Sequence, residues 1–262
     1  MDILQKIITY KKEEIEVRKL LVPAEELKYS EYFDREGLSL KQNLLSENST
    51  GIIAEFKRKS PSKGFINQHA DVVQVTKDYA AYGASGLSVL TDHHFFGGNT
   101  EDLVKARINN IPILRKDFII DPYQILAAKA MGADVILLIA ACLQVNEVKD
   151  LAAYAKEIGL EVLLELHDEN ELTHICNDVD MVGINNRNLK TFAVDINRSL
   201  QLSTLIPADK IKIAESGIDN TETIKRFKKA GYKGFLIGET FMKTQNPGQA
   251  FKKFVTEIKN KI

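Results

Sequence analysis

The chain contains no tryptophan, only two cysteines, almost no excess of either charge and no long apolar run. Each shortage excludes something. Cys142 and Cys176 stand far apart, in neither a metal nor a redox spacing. Disulfide frameworks belong to small secreted chains, so two reduced thiols and a cytoplasmic location are expected. Lys and Arg number 35 against 36 Asp and Glu, so no net field draws the chain to nucleic acid or to an acidic membrane. The longest apolar stretch, Val135 to Leu143, falls well short of the roughly 20 residues that span a bilayer. The first residues carry neither a sustained apolar run nor a small-residue cleavage site. His69, His93, His94, His167 and His174 form no ligand motif, and each reads as a solvated or capping side chain. The partner should therefore be a small molecule, with no metal, no nucleic acid and no membrane, and the protein a monomer or weak oligomer.

What is present is a repeat. Short runs rich in Val, Ile and Leu recur at 51–57, 86–91, 111–116, 134–140, 160–166, 181–185, 210–215 and 234–238. Amphipathic segments such as 71–82, 123–131, 146–157 and 220–230 lie between them. Continuous apolar runs suit strands buried on both faces, as in a parallel sheet covered by helices. Eight strands alternating with helices point to a closed α/β structure, a (β/α)8 TIM barrel, over residues 49–262. Gly83, Gly132, Gly159 and Gly231 each stand where a helix ends shortly before a strand, the place for a left-handed cap. Asp121-Pro122 and the patterns Asp168-x-x-Glu171 and Asp219-x-x-Glu222 mark helix starts.

Residues 1–48 lie outside the repeat and read as an N-terminal helical extension packed on the barrel. Ile3, Leu4, Ile7, Ile8 and Ile15 give one helix an apolar side. That side either plugs one end of the barrel or covers the substrate.

Catalytic groups of such barrels collect at the C-terminal ends of the strands, where the loops form the mouth. Polar residues interrupt the apolar runs there: Glu55 and Lys57 on the first, Lys116 on the third, Glu165 on the fifth, Asn185 on the sixth, Glu215 and Ser216 on the seventh. Glu55 and Lys57 are two apart and so face the same way. Ser216-Gly217 after the seventh strand and Gly238-Glu239 after the eighth fit a phosphate cradle, since glycine lets backbone N–H groups approach an anion closely.

These segments resemble the indole-3-glycerol phosphate synthase family. The similarity runs through IAEFKRKSPSKG (53–64), LTDHHFFGG (90–98), LRKDFIIDPYQI (114–125), LLELHDENEL (163–172), GINNRNLKTF (183–192), AESGI (214–218) and LIGETFM (236–242), nearly the whole chain. The resemblance implies a carboxy-lyase of tryptophan biosynthesis that acts on 1-(2-carboxyphenylamino)-1-deoxyribulose 5-phosphate by general acid and base catalysis, without a cofactor. It implies Lys116 as the general acid, Glu165 and Glu55 as proton-transfer carboxylates, and Lys57 as the holder of the anthranilate carboxylate and a second acid. Asn185 and Arg187 would position the substrate and the catalytic groups. Ser60, Ser216, Gly217, Gly238 and Glu239 would bind the phosphate, with Glu215 beside them. Pro61, Phe96, Phe118, Leu137 and Leu189 would wall the aromatic ring.

The chemistry accounts for these residue types. Ring closure needs a proton donor at a carbonyl oxygen, and a lysine in a partly desolvated site is expected to have a lowered pKa. Dehydration needs an acid and a base, hence paired lysines and carboxylates. A single activity is expected, since the chain leaves no room for a fused second barrel. Three other readings are a Schiff-base aldolase using Lys57 or Lys116, phosphoribosylanthranilate isomerase, and a non-catalytic phosphate-binding scaffold. The joint presence of Glu55, Lys57, Lys116 and Glu165 speaks against the scaffold, and the AEFKRKSPS segment against the isomerase.

Overall fold

A computed structural model describes residues 3–188 and 193–261. Its eight main strands are β1 (Ile52–Phe56), β2 (Gly86–Leu90), β3 (Ile113–Lys116), β4 (Val135–Ile139), β5 (Glu161–Leu166), β6 (Met181–Asn185), β7 (Ile211–Glu215) and β8 (Gly234–Ile237). All pair in parallel in chain order, and β8 closes on β1 with Ile52 opposite Phe235 and Ala54 opposite Ile237. The TIM barrel read from the repeat is therefore the fold. A two-stranded hairpin, Lys59–Ser60 with Gly64–Phe65, follows β1 at the mouth.

Helices link the strands, with one exception among the described residues. Between β5 and β6 the chain makes only a short 3-10 helix, Glu169–His174. Gly83, Gly132, Gly159 and Gly231 all have positive φ, as the helix ends required. Asp121 forms a full capping box with Gln124, and Pro122 opens that helix. The other two boxes differ from expectation. Asn220, not Asp219, caps its helix, because its side-chain oxygen reaches Thr223 N at 2.9 Å. Asp168 accepts from Asn170 N, while the Glu171 carboxylate reaches past it to accept from His167 N at 2.6 Å.

Alternation along each strand divides the interior into two cores. Ile53, Leu114, Leu137, Leu163, Met181, Ile213 and Leu236 fill the barrel, while residues such as Ile52, Leu87, Ile136, Val182 and Phe235 face the helices. Continuing the inward phase toward the mouth gives Glu55 after Ile53, Lys116 after Leu114, Glu165 after Leu163, Asn185 after Met181 and Gly183, and Glu215 after Ile213. The pleat that packs the barrel thus aims the polar residues into its mouth.

Different parts of the N-terminal extension lie at the two ends of the barrel. Leu40 and Leu44, on the short helix Leu40–Leu45, are buried with the barrel's inner core and close its floor beside Gly86 and Gly234. Buried Asp134 pins this end: it accepts from Leu38 N and Ile113 N, each at 2.8 Å, and pairs with Arg107 at 2.5 Å and with Arg35. At the opposite end the first helix, α1 (Ile3–Leu21), lies across the mouth. Its buried stripe is Ile7, Lys11 and Ile15, spaced four apart. Lys11 lies 3.0 Å from both Asp92 and Asp117 and 2.6 Å from Glu14, which ties α1 to the ends of β2 and β3. No helix among the described residues is long and apolar enough to cross a membrane.

Candidate active site

A cavity of about 300 Å³ opens at the C-terminal ends of the strands. Two ion-pair groups dominate it. The Lys116 ammonium bridges two carboxylates, Glu165 Oε2 at 2.9 Å and Glu215 Oε2 at 2.8 Å. Beside it, Lys57 Nζ lies 2.5 Å from Glu55 Oε1. Asn185 Nδ2 donates to Glu165 Oε1 at 2.9 Å, and Asn185 Oδ1 accepts from Arg187 N at 3.0 Å, so the asparagine locks Glu165 to the loop after β6. Gly183 makes room for this arrangement, because a Cβ there would collide with the Glu215 carboxylate.

The electrostatics differ from the expected lowered lysine pKa. Burial does push the Lys116 ammonium toward its neutral form, but the carboxylates of Glu165, Glu215 and Glu55 outweigh it and raise the group above the ordinary lysine range. The apolar strand around Lys116 supplies the desolvation, whereas the counter-charges come from strands distant in sequence. Glu165 and Glu215 split. Both pay for burial, yet Glu165, held by Lys116, His167 and Asn185, is kept well below the usual carboxylate range. Glu215 is pushed up to about 7 by burial and by the charge of Glu165, which Lys116 only partly offsets. Two carboxylates that share one cation are thus poised in different protonation states.

The rim after β7 and β8 is built from backbone. Ser216 and Gly217 adopt consecutive left-handed conformations, with φ of 67° and 68°. Ser216 is the sole non-glycine residue with positive φ among those described, a strained state that costs about 1–3 kcal/mol. Gly238 opens the short helix Glu239–Met242, and a Cβ on it would lie 2.6 Å from Glu55 Oε1. Opposite this rim, the rings of Phe96 and Phe118 lie 5.9 Å apart, tilted by 38°.

Glu55, Lys57, Ser60, Pro61, Phe96, Lys116, Phe118 and Leu137 all line this one cavity, as do Glu165, Asn185, Arg187, Glu215, Ser216, Gly217, Gly238 and Glu239. Leu189 lies outside the described residues. Ile3, Leu4 and Ile7 of α1 also line the cavity, together with Asp92, Asp117 and Lys243. Their only signals in the sequence were the apolar side of the first helix and an aspartate directly after each of two strand ends. His167 was read as solvated or capping, but it is buried against Glu165. Among the described residues no group of three or more His, Cys, Asp or Glu side chains could hold a metal ion.

The family model for indole-3-glycerol phosphate synthase matches residues 4–254. The chain belongs to the indole-3-glycerol phosphate synthase family. Among its relatives, an indole-3-glycerol phosphate synthase of Bacteroides thetaiotaomicron is 48% identical over 98% of this chain and 99% of its own length. One from Burkholderia cenocepacia is 44% identical over 95% of this chain and 97% of its own length. Solved structures add a likeness of fold alone. A tryptophan synthase subunit alpha of Legionella pneumophila aligns with a TM-score of 0.60 at 12% identity, covering 84% of this chain and 95% of its own. A thiamine phosphate pyrophosphorylase of Pyrococcus furiosus aligns with a TM-score of 0.59 at 14% identity, covering 84% and 99%. A shared barrel implies no shared activity.

Proposed function

We propose that the chain converts 1-(2-carboxyphenylamino)-1-deoxyribulose 5-phosphate to indole-3-glycerol phosphate, a step of tryptophan biosynthesis, and that Lys116 is its principal acid. The observation that carries this reading is the Lys116 ammonium held between Glu165 and Glu215, within one cavity that is also lined by the Lys57–Glu55 pair, Ser216, Gly217, Gly238, Phe96 and Phe118.

The sugar phosphate is anchored through the backbone of Ser216, Gly217, Gly238 and Glu239, with Ser60 at the hairpin. The anthranilate ring packs against Phe96 and Phe118 above Leu137, with Pro61 beside them. The Lys57 ammonium orients the ring carboxylate, and Arg187 and Asn185 fix the ribulose chain. The ring carbon that bears the carboxylate attacks the ribulose carbonyl, and the carbonyl oxygen takes a proton from Lys116. The raised proton affinity of Lys116 keeps its acid form fully populated at neutral pH. Loss of CO2 then returns the bonding electrons to the ring and restores aromaticity. In the last step the new hydroxyl leaves as water, protonated by a lysine, while Glu165 or Glu55 removes the proton that lets the second ring become aromatic. Glu215, near 7, can return a proton to Lys116 between steps.

The charge state of Lys116 also bears on the Schiff-base alternative. An imine-forming lysine must be neutral to attack, and the carboxylates here hold this one charged. The test is turnover: purified protein with the carboxyphenylamino sugar phosphate should give indole fluorescence and release CO2 in equal amounts. Substrate binding with no product would refute the reading, and borohydride trapping of substrate on lysine would replace it with the imine.

A further inference from the structure

Glu165 is gripped from several directions. Lys116 holds one oxygen and Asn185 the other, both from the cavity. The remaining contact comes from His167, which does not line the cavity and whose side chain is only 10% exposed. Its Nε2 lies 3.2 Å from Glu165 Oε1, and its Nδ1 lies 3.7 Å from Glu171 Oε2. These are ion-pair approaches rather than aligned hydrogen bonds. The same Glu171 oxygen accepts from the His167 backbone N–H at 2.6 Å, so one carboxylate fixes both the main chain and the ring. The charged groups facing the imidazole are Glu165 on β5 and Glu171 on the 3-10 helix, with Lys116 and Glu215 beyond Glu165.

We propose that His167 is a positioning residue, a buried imidazolium that ties Glu165 to Glu171 and thereby decides that Glu165, rather than Glu215, stays ionised. The reason is one of symmetry. Glu165 and Glu215 both lean on Lys116 at nearly equal distances, 2.9 and 2.8 Å, so the shared cation cannot by itself choose between them. Like charges this close cannot both ionise cheaply, and a second cation on the Glu165 side, added to the neutral Asn185 donor there, settles which of them does. Burial works against the charge on His167, but Glu165 and Glu171 outweigh it and push the imidazole up to about 10. Glu171 thus serves as the remote counter-ion that lets the imidazole carry charge beside a base.

The inference rests on Glu165 being a proton-transfer group, and its test separates the two claims. His167→Gln keeps an amide donor near Glu165 but removes the charge. Its kcat should fall by about tenfold or more with KM little changed. The acid limb of its kcat–pH profile should move upward by about one unit or more, because Glu165 loses a neighbouring cation. Glu171→Gln should move the same limb the same way by less. An imidazole that merely packs would lower Tm in either variant and leave the limb in place, and that result overturns the proposal. Should His167→Gln fail to fold, Glu171→Gln and imidazole 15N NMR of the parent decide. Both ring nitrogens should stay protonated at about pH 8, and a neutral ring there overturns the proposal. If Glu165→Gln itself turns over like the parent, the reading of Glu165 fails and His167 falls with it. If Glu165→Gln is dead while both other variants keep the parental limb, the His167 proposal alone fails.

Discussion

Replacing Lys116 with alanine removes the one ammonium that stands between two buried carboxylates, and its consequences can be worked out in two parts. For turnover, a positioned general acid contributes roughly a hundredfold to ten-thousandfold, so Lys116→Ala should nearly abolish product formation. For stability, removing one partner of a buried ion pair costs roughly 3–5 kcal/mol when the other charge is stranded. Here the stranding is relieved in part, since Glu165 and Glu215 can take up protons once the cation that lowers both is gone. The variant should therefore be only modestly weakened at acid pH and progressively worse as pH rises above the ordinary carboxylate range, where holding those protons or burying the bare charges costs stability. The proposed phosphate cradle is backbone that follows β7 and β8 and makes no use of Lys116, so affinity for inorganic phosphate should change little. The assay pairs kcat from indole fluorescence with phosphate binding by calorimetry, and adds urea unfolding on either side of neutrality. Comparable steady-state rates in variant and parent would refute the acid assignment. A stability loss independent of pH would refute the charge argument.

Three further outcomes are expected. Glu215 has a folded-state value raised from 4.5 to about 7, so its stabilising contribution is complete below pH 4.5 and is lost as pH rises through 7. Urea midpoints of the parent should fall across that window, and those of Glu215→Gln should fall less; parallel profiles would count against the shift. Gly238→Ala drives a methyl to 2.6 Å from Glu55 Oε1, and displacing that carboxylate by about an ångström should cost roughly a hundredfold in kcat. An unchanged kcat would mean that Glu55 has no part in the reaction. Asp134→Ala strands buried Arg107 and frees two backbone donors of the floor, so it should cost roughly 3–5 kcal/mol in urea unfolding while leaving the KM of the folded enzyme unchanged.

Much of this architecture was legible before any coordinates, for reasons that can be named. The apolar runs found all eight strands, because a barrel strand is buried on both faces and its charged residues gather toward its ends. The same pattern exposed Glu55, Lys116, Glu165, Asn185 and Glu215, since each continues an inward phase set by Ile53, Leu114, Leu163, Met181 or Ile213. What stayed hidden depended on distance along the chain. Nothing around Lys116 announces Glu165 and Glu215, which lie 49 and 99 residues away, so the sign of its pKa shift was read the wrong way. His167 was hidden for a related reason: no single-sequence pattern separates an imidazole that caps a turn from one pressed between two carboxylates. The apolar side of α1 told of burial but not of which end, and Lys11 lay in it as a charge whose partners, Asp92 and Asp117, belong to β2 and β3 loops.

The central claim is geometric: one cavity anchors a sugar phosphate and holds its aromatic ring under two lysines and three carboxylates. The structure of the complex with indole-3-glycerol phosphate tests it most directly. The phosphate should lie on the backbone of Ser216, Gly217 and Gly238, the indole against Phe96 and Phe118, and the nearest ring or glycerol atoms within hydrogen-bond reach of Lys116 or Glu165. A phosphate bound elsewhere, or an indole turned away from those groups, would contradict it.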